Sequence, residues 1–164
     1  MPRMLVAGFG NVLRGDDGFG VEVVRRLAEA GGCPEGTAFL EVGTGGIALA
    51  QALLSPIDRL IIIDAMTRGG APGDLHVRQV DSVEAQRSID MHMALPAQAL
   101  GLAQALGALP AEVFLVGCEP EAVDDLIMEL SPPVERAVSR AIQEVRSLLA
   151  RPTTAAGKDG QPHV

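Results

Sequence analysis

The sequence predicts an α/β domain with three layers, in which a mainly parallel, twisted sheet of about five strands lies between helices. Short apolar runs typical of buried strands alternate along the chain with segments whose apolar residues recur at helical spacing. Most of these runs are continuous rather than alternating, which is typical of parallel strands covered on both faces. With 164 residues, 48% of them hydrophobic, the chain can bury one complete core.

Three strands and two helices are predicted in the first half of the chain. Each strand is a short apolar run followed by a glycine or an acidic residue. The run RLIII at residues 59–63 is β-branched and uninterrupted, so we expect it to be the central strand. The first helix shows apolar residues at helical spacing and ends at Gly31-Gly32. The predicted strands are residues 4–9, 37–42 and 59–63, and the helices are residues 19–30 and about 47–54.

The second half of the chain adds two strands and two helices. Residues 75–80 alternate apolar and polar side chains, as an edge strand with one wet face would. Residues 81–93 are polar with scattered apolar positions, which predicts a loop with a short helical turn at most. The remaining predicted elements are a helix from Pro96 to about residue 109, a buried strand at 112–117, and an amphipathic helix that follows Ser131 and extends to residue 149.

The domain boundaries follow from these elements. Residues 1–150 are expected to form a single domain, and residues 151–164, mostly small or polar, are expected to be a disordered tail.

The N terminus leads directly into strand-like sequence without a long apolar segment or a cleavage signal, so we expect a cytoplasmic protein. Cys33 and Cys118 are the only cysteines, and we expect both to be reduced thiols in the core.

The charge balance limits the classes of partner. The formal net charge is -8, which argues against nucleic acid or an anionic membrane because both require basic surface. The absence of Trp and Tyr also removes the aromatic platforms on which bases stack. The composition instead suits a soluble protein that meets a cation or a basic peptide, and we expect it to be monomeric.

Three polar residues are candidates for chemistry because of where they occur. Asp17 follows the first predicted strand, Asp64 follows the third, and His92 lies in the loop before the Pro96 helix. The carboxyl ends of parallel strands meet at one edge of a sheet, so these side chains can converge in a crevice there. Two carboxylates and an imidazole suit a borderline divalent cation such as nickel or zinc, with coordination positions left open for water or substrate.

Each candidate also has a structural explanation. Asp16 and Asp17 precede a helix whose first N–H groups a carboxylate could cap, and we assign that role to Asp16. Asp64 could form an Asx turn at the end of its strand. A histidine such as His92, between two methionines, is more often a packed or surface residue than a ligand. His76 is assigned to solvent on the edge strand, and His163 to the tail.

Several common site motifs are absent. Gly8 and Gly10 begin a pattern like the dinucleotide fingerprint, but Leu13 stands where its third glycine would be. The carboxylates of Asp16 and Asp17 would also repel a pyrophosphate. There is no GxSxG, HExxH or Cys–His pattern, so no serine, zincin or cysteine mechanism has a visible nucleophile or base.

Taken together, five motifs in order resemble the nickel–iron hydrogenase maturation endopeptidases over about residues 4–149. They are Gly8-x-Gly10-Asn11-x-Leu13-x-x-Asp16-Asp17-Gly18-x-Gly20, Ile63-Asp64-Ala65 with Gly70-Ala71-Pro72-Gly73, His92, Val116-Gly117-x-x-Pro120-Glu121, and Leu130-Ser131-Pro132-x-Val134. Members of that family remove a short C-terminal extension from the precursor of the hydrogenase large subunit after nickel insertion. The resemblance implies a hydrolase, either a metal-dependent or an aspartic-type endopeptidase, with nickel supplied by the bound precursor.

The resemblance also implies roles for individual residues. Asp17, Asp64 and His92 match the metal-contacting positions, and the two aspartates are the candidate catalytic groups. Asn11 and Asp16 would support them. The turn after the second strand matches a family turn that carries aspartate, with Glu41 in its place, so Glu41, Gly43, Thr44 and Gly45 are the candidate substrate-binding residues. The glycines there would let a substrate backbone approach closely, although they could equally serve only to make the turn.

Two other classes of function fit the same residues. A non-enzymatic nickel-binding maturation chaperone would use the same ligands without shortening the precursor. A nucleotide- or phosphate-binding α/β domain of the doubly wound type would instead be stabilised by nucleotide and not by nickel.

Overall fold

The computed structural model describes residues 1–80, 101, 107–121, 123 and 126–153. Its centre is a five-stranded sheet with the order β2-β1-β3-β5-β4. The first four of these strands run parallel, and β4 pairs antiparallel with β5 at the edge. The strands are β1 (Met4–Phe9), β2 (Thr37–Gly43), β3 (Arg59–Ala65), β4 (Leu75–Val80) and β5 (Glu112–Cys118). The predicted three-layer α/β fold is therefore confirmed, with β3 central and β4 at an edge.

Helices cover both faces of this sheet. The amphipathic helices α1 (Phe19–Ala30) and α3 (Pro132–Ala150) pack side by side on one face, and the short helix α2 (Ile47–Ala52) lies on the other. Successive residues of β1 and β3 point to opposite faces, so every residue of β1 is buried. This explains why the strand sequences are continuously apolar. None of the described helices could cross a membrane.

The amino-terminal edge of the sheet is closed by a buried ion pair. The guanidinium of Arg59, 1% exposed, donates to Glu112 Oε2 from Nη2 at 2.6 Å and from Nε at 2.9 Å. It also donates to the carbonyls of Leu148, Arg151 and Pro152. Residues 151–153, assigned from the sequence to a disordered tail, are therefore held against the sheet. The rest of that tail lies outside the described residues.

Element boundaries differ from the sequence-based ones by one or two residues. β2 and β5 extend one residue further than predicted, β3 extends two, and α2 ends earlier, at Ala52. The boundaries of α1 are as predicted, and Ser131 is the N-cap residue of α3. The predicted loop at 81–93 and most of the predicted helix that begins at Pro96 lie outside the described residues.

Candidate active site

The topology places a crevice between the carboxyl ends of β1 and β3. From β1 the chain crosses to β2 on one side, and then returns past β1 to β3 on the other side. Ligands of open α/β sheets bind at such a switch point. Asp17 lies in a 3-10 turn, Gly15–Gly18, that follows β1. Asp64 is the second-to-last residue of β3. Two of the three predicted site residues thus flank the crevice.

Two glycines make this convergence possible. Gly20, in the first turn of α1, packs so closely on β3 that an added Cβ would lie 2.2 Å from the carbonyl oxygen of Ile63. Gly10 has a φ of +121°, and a Cβ there would lie 1.8 Å from the backbone oxygen of Asp17. A side chain at either position would push the turn away from the sheet. The glycines therefore bring Asp17 to the end of β3, beside Asp64.

The two carboxylates interact electrostatically. The pKa of Asp64 is raised to about 7. Burial is the main cause and the negative charge of Asp17 the second, while a hydrogen bond from the backbone of Ala65 opposes the rise. Asp17 is oriented by the backbone N–H of Asn11, which donates to Oδ2 at 2.9 Å. A half-buried pair of carboxyl groups that repel each other is suited to a divalent cation, which would remove the repulsion.

Asp16 does not have the predicted role as a helix cap. Gly18 is the N-cap residue of α1, and no side-chain cap bond is made there. The Asp16 carboxylate is completely buried and accepts hydrogen bonds from the backbone N–H of Glu121 at 2.8 Å and from both the N–H and the hydroxyl of Ser131 at 2.7 Å. It therefore fastens the turn that carries Asp17 to the beginning of α3, so its role is to support the site.

The candidate substrate-binding turn lies next to this loop. The carbonyl of Gly43 accepts a hydrogen bond from the N–H of Gly10 at 2.9 Å, and Thr44 and Gly45 are exposed. Added Cβ atoms at Gly43 or Gly45 would meet nothing within 4 Å, so the turn borders open space. The side chain of Glu41 is an exception, because it forms an ion pair with Arg25 of α1. Three of the four predicted residues thus lie where a substrate backbone could approach.

The third predicted ligand, His92, lies outside the described residues. Within the part of the chain that the structure describes, no three His, Cys, Asp or Glu side chains are grouped to hold a metal ion. Asp17 and Asp64 are therefore a pair, without a third such side chain beside them, among the described residues. The buried thiol of Cys118 has a pKa raised to about 12, mainly by burial, so it is not a nucleophile at neutral pH.

Glu119 is a buried acidic residue at the same edge that the sequence analysis did not single out. It follows β5, is 4% exposed, and accepts a hydrogen bond from the backbone N–H of Arg68 at 2.8 Å. The Glu119 carboxylate also lies near His76, whose Nε2 is 3.8 Å from Glu119 Oε2. His76 is half-buried, so its predicted assignment to solvent is wrong. An acidic residue directly after a buried strand, as at Asp64, was the signal that could have identified Glu119.

Comparisons with known proteins identify the family of the chain. A family model described as hydrogenase maturation protease, HycI, matches residues 21–148. The hydrogenase expression/formation protein HoxM of Azotobacter vinelandii is 36% identical over 163 residues, which covers 97% of this chain and 78% of that protein. The HupD protein of Rhodobacter capsulatus is 34% identical over 152 residues, covering 88% of this chain and 72% of HupD.

Solved structures show the same fold. The hydrogenase maturating endopeptidase HybD from E. coli aligns with a TM-score of 0.78 at 30% identity, covering 90% of this chain and 91% of that one. The [NiFe] hydrogenase maturation protease HybD from Thermococcus kodakarensis aligns with a TM-score of 0.75 at 31% identity, covering 90% and 99%. The open α/β fold and these matches therefore define a hydrolase of the endopeptidase class. The chain belongs to the hydrogenase maturation protease family.

Proposed function

We propose that this protein removes a C-terminal extension from the precursor of the [NiFe] hydrogenase large subunit, and that it recognises nickel already bound to that precursor. The observation that carries the proposal is the pairing of Asp17 and Asp64 at the switch point of the sheet. Burial and mutual repulsion make the ionised pair unfavourable unless a cation binds to it. Nickel is here part of the substrate. Oxygen ligands from both aspartates, with His92 as the nitrogen ligand, would complete its coordination.

Recognition of this kind would make cleavage conditional on nickel insertion. Asp17 is held by Asn11, and its turn is fastened by Asp16, so its carboxylate is fixed before the substrate arrives. A precursor without nickel would meet two carboxyl groups with no ion between them. A precursor with nickel would be held with its scissile peptide near the exposed turn of Gly43, Thr44 and Gly45.

The hydrolytic step then needs a water and a proton acceptor. Water adds its hydroxyl to the peptide carbonyl carbon, the C–N bond breaks, and the departing amine takes up a proton. A carboxylate of the pair would accept the proton of the attacking water and return it to the leaving nitrogen. The substrate's nickel would lower the pKa of that water or polarise the carbonyl. The carboxylates thus bind the ion and handle the proton.

The test is a processing assay with matched variants. Purified precursor, with and without nickel, is incubated with the protein, and the intact mass of the precursor is measured. We expect a loss of mass only for the nickel-loaded precursor, and none with Asp17→Asn or Asp64→Asn. Glu35→Gln removes an exposed carboxylate remote from the crevice and should process normally.

Three results would contradict the proposal. Processing by both aspartate variants at the wild-type rate would show that the carboxylate pair is not involved. Stable binding of the nickel-loaded precursor without any change of mass would instead identify a nickel-binding chaperone. Stabilisation of the protein by nucleotide but not by nickel would favour the phosphate-binding class.

A further inference from the structure

An apolar ridge lies beside the candidate active site. It consists of Leu126, Ile127 and Met128, which are 87%, 44% and 71% exposed. Single exposed apolar residues are common on protein surfaces, but three in succession are unusual in a soluble domain unless they serve binding. Leu13, which is 46% exposed, precedes the residue that pairs with Ile127 and enlarges the same surface.

The backbone of the ridge adopts a conformation that is unfavourable for its sequence. Leu126 has a φ of +66°, and in the part of the chain that the structure describes it is the only residue other than glycine with a positive φ. This region is disfavoured for leucine because Cβ approaches the following carbonyl oxygen. Such a conformation persists only where surrounding contacts hold it, and residues of this kind are concentrated at functional surfaces.

Contacts that hold the ridge come from the turn that carries Asp17. Ile127 forms a parallel bridge with Arg14, and its carbonyl accepts a hydrogen bond from the N–H of Gly15, two residues before Asp17. Further along the chain, Ser131 is bound by Asp16. The ridge is therefore attached on both sides to the turn of the candidate active site. A molecule bound on the ridge would be held in a fixed position relative to Asp17.

A groove separates the ridge from α1. It has a volume of about 410 Å³, and Val12, Met128 and Leu130 provide its apolar lining. Charged side chains also line the groove: Arg26 forms ion pairs with Glu22 at 2.8 Å and with Glu135 at 2.7 Å, and Arg25 and Glu129 lie along the same wall. The ridge therefore supplies most of the exposed apolar surface here, and Met128 connects it to the groove.

We propose that the apolar ridge is the docking surface for the body of the hydrogenase precursor, which places an apolar segment of its folded surface on Leu126 and Met128 and into the groove. This inference rests on the proposed function and adds to it a second contact area, separate from nickel recognition. The continuity of the ridge with the turn that carries Asp17 argues for the substrate as the occupant. Docking there would deliver the C-terminal extension to the crevice.

The test separates binding from chemistry. The variant Leu126→Asn/Met128→Gln keeps the size of both side chains but removes their apolar character, and asparagine tolerates a positive φ. With nickel-loaded precursor we expect KM to rise about tenfold or more, as for residues at the centre of an interface, with kcat within about twofold of the wild-type value. The midpoint of urea unfolding should stay at or above that of the wild type.

A matched control uses Leu54, which is 64% exposed at the carboxyl end of α2 and far along the chain from the ridge. Leu54→Gln should leave KM unchanged. If the ridge variant also leaves KM unchanged while Asp17→Asn abolishes cleavage, docking at the ridge is wrong and the proposed function stands. If the ridge variant converts a wild-type dimer to a monomer without raising KM, the ridge binds a second copy of the chain and the inference is also wrong.

Discussion

The most specific quantitative prediction concerns the stability of the protein without metal. Asp64 is half-buried beside Asp17, and its pKa is raised from 3.8 to about 7, chiefly by burial. Ionisation of this group is therefore costly in the folded protein and not in the unfolded chain. Asp64→Asn removes the titrating group and keeps its shape.

The sign and size follow from linkage. Below pH 3.8 the carboxyl group is protonated in both states and does not affect stability. As the pH rises, the unfolded chain ionises first, so the folded state loses about 1.4 kcal/mol for each pH unit. Above the folded-state pKa of about 7 both states are ionised and the loss is complete. The total is about 4 kcal/mol at most, a large fraction of the stability of a domain.

The assay is urea unfolding between pH 5 and pH 8 in the presence of a chelator. Across this range, the wild type should lose about 3 kcal/mol of unfolding free energy relative to Asp64→Asn, nearly all of it below pH 7. Glu35→Gln, which removes an exposed carboxylate, is the matched control for the loss of a carboxyl group. A difference between wild type and Asp64→Asn that does not change with pH would refute the assignment of Asp64 as a buried, charge-repelled carboxyl.

Three further predictions test the framework of the site by urea unfolding and processing assays. Gly20→Ala should cost about 3 kcal/mol of unfolding free energy or prevent folding, because its methyl group would overlap the end of β3. Gly45→Ala, where the added methyl group meets open space, should fold normally and process the precursor more slowly. Equal stability of the two variants would contradict the packing at Gly20. Asp16→Asn should cost about 2–4 kcal/mol, since it loses charge-assisted hydrogen bonds in a fully buried position; a loss below about 0.5 kcal/mol would show that the anchor is unimportant. Arg59→Met should cost about 3–5 kcal/mol because it removes one partner of a buried ion pair together with the hydrogen bonds that its guanidinium donates, and a neutral result would show that the pair contributes no net stability.

The sequence determined the layers of the fold and the position of most elements. The continuous apolar runs at β1 and β3 occur because both faces of those strands are covered. This requirement can be recognised from the sequence alone. The amphipathic periodicity of α1 and α3 likewise reflects burial of one side of each helix. The antiparallel direction of β4 was not predicted, because an edge strand's pattern is the same in either direction.

Two candidate site residues were found because they occur where buried strands end: Asp64 at the end of β3 and Asp17 in the turn that follows β1. This local signal identified Asp17 and Asp64, and motif resemblance supplied the metal-contacting role that position alone left open. Asp16 was misassigned as a helix cap because its actual partners, Glu121 and Ser131, are more than a hundred residues away along the chain. His76 was misassigned because its neighbour Glu119 follows β5 and is distant along the chain, so the sequence around His76 does not show this contact.

The amino-acid sequence by itself therefore determined the strands, the helices, the family resemblance and the acidic residues at the strand ends, since each is encoded by neighbouring residues. Only the tertiary structure decided which groups Asp16 binds, and hence that it anchors the turn that carries Asp17 instead of capping α1. It also decided that Arg59 is fully buried and that Leu126 is held in a disfavoured conformation next to the site. Those properties depend on contacts between segments distant in sequence, and the sequence pattern contains no record of such contacts.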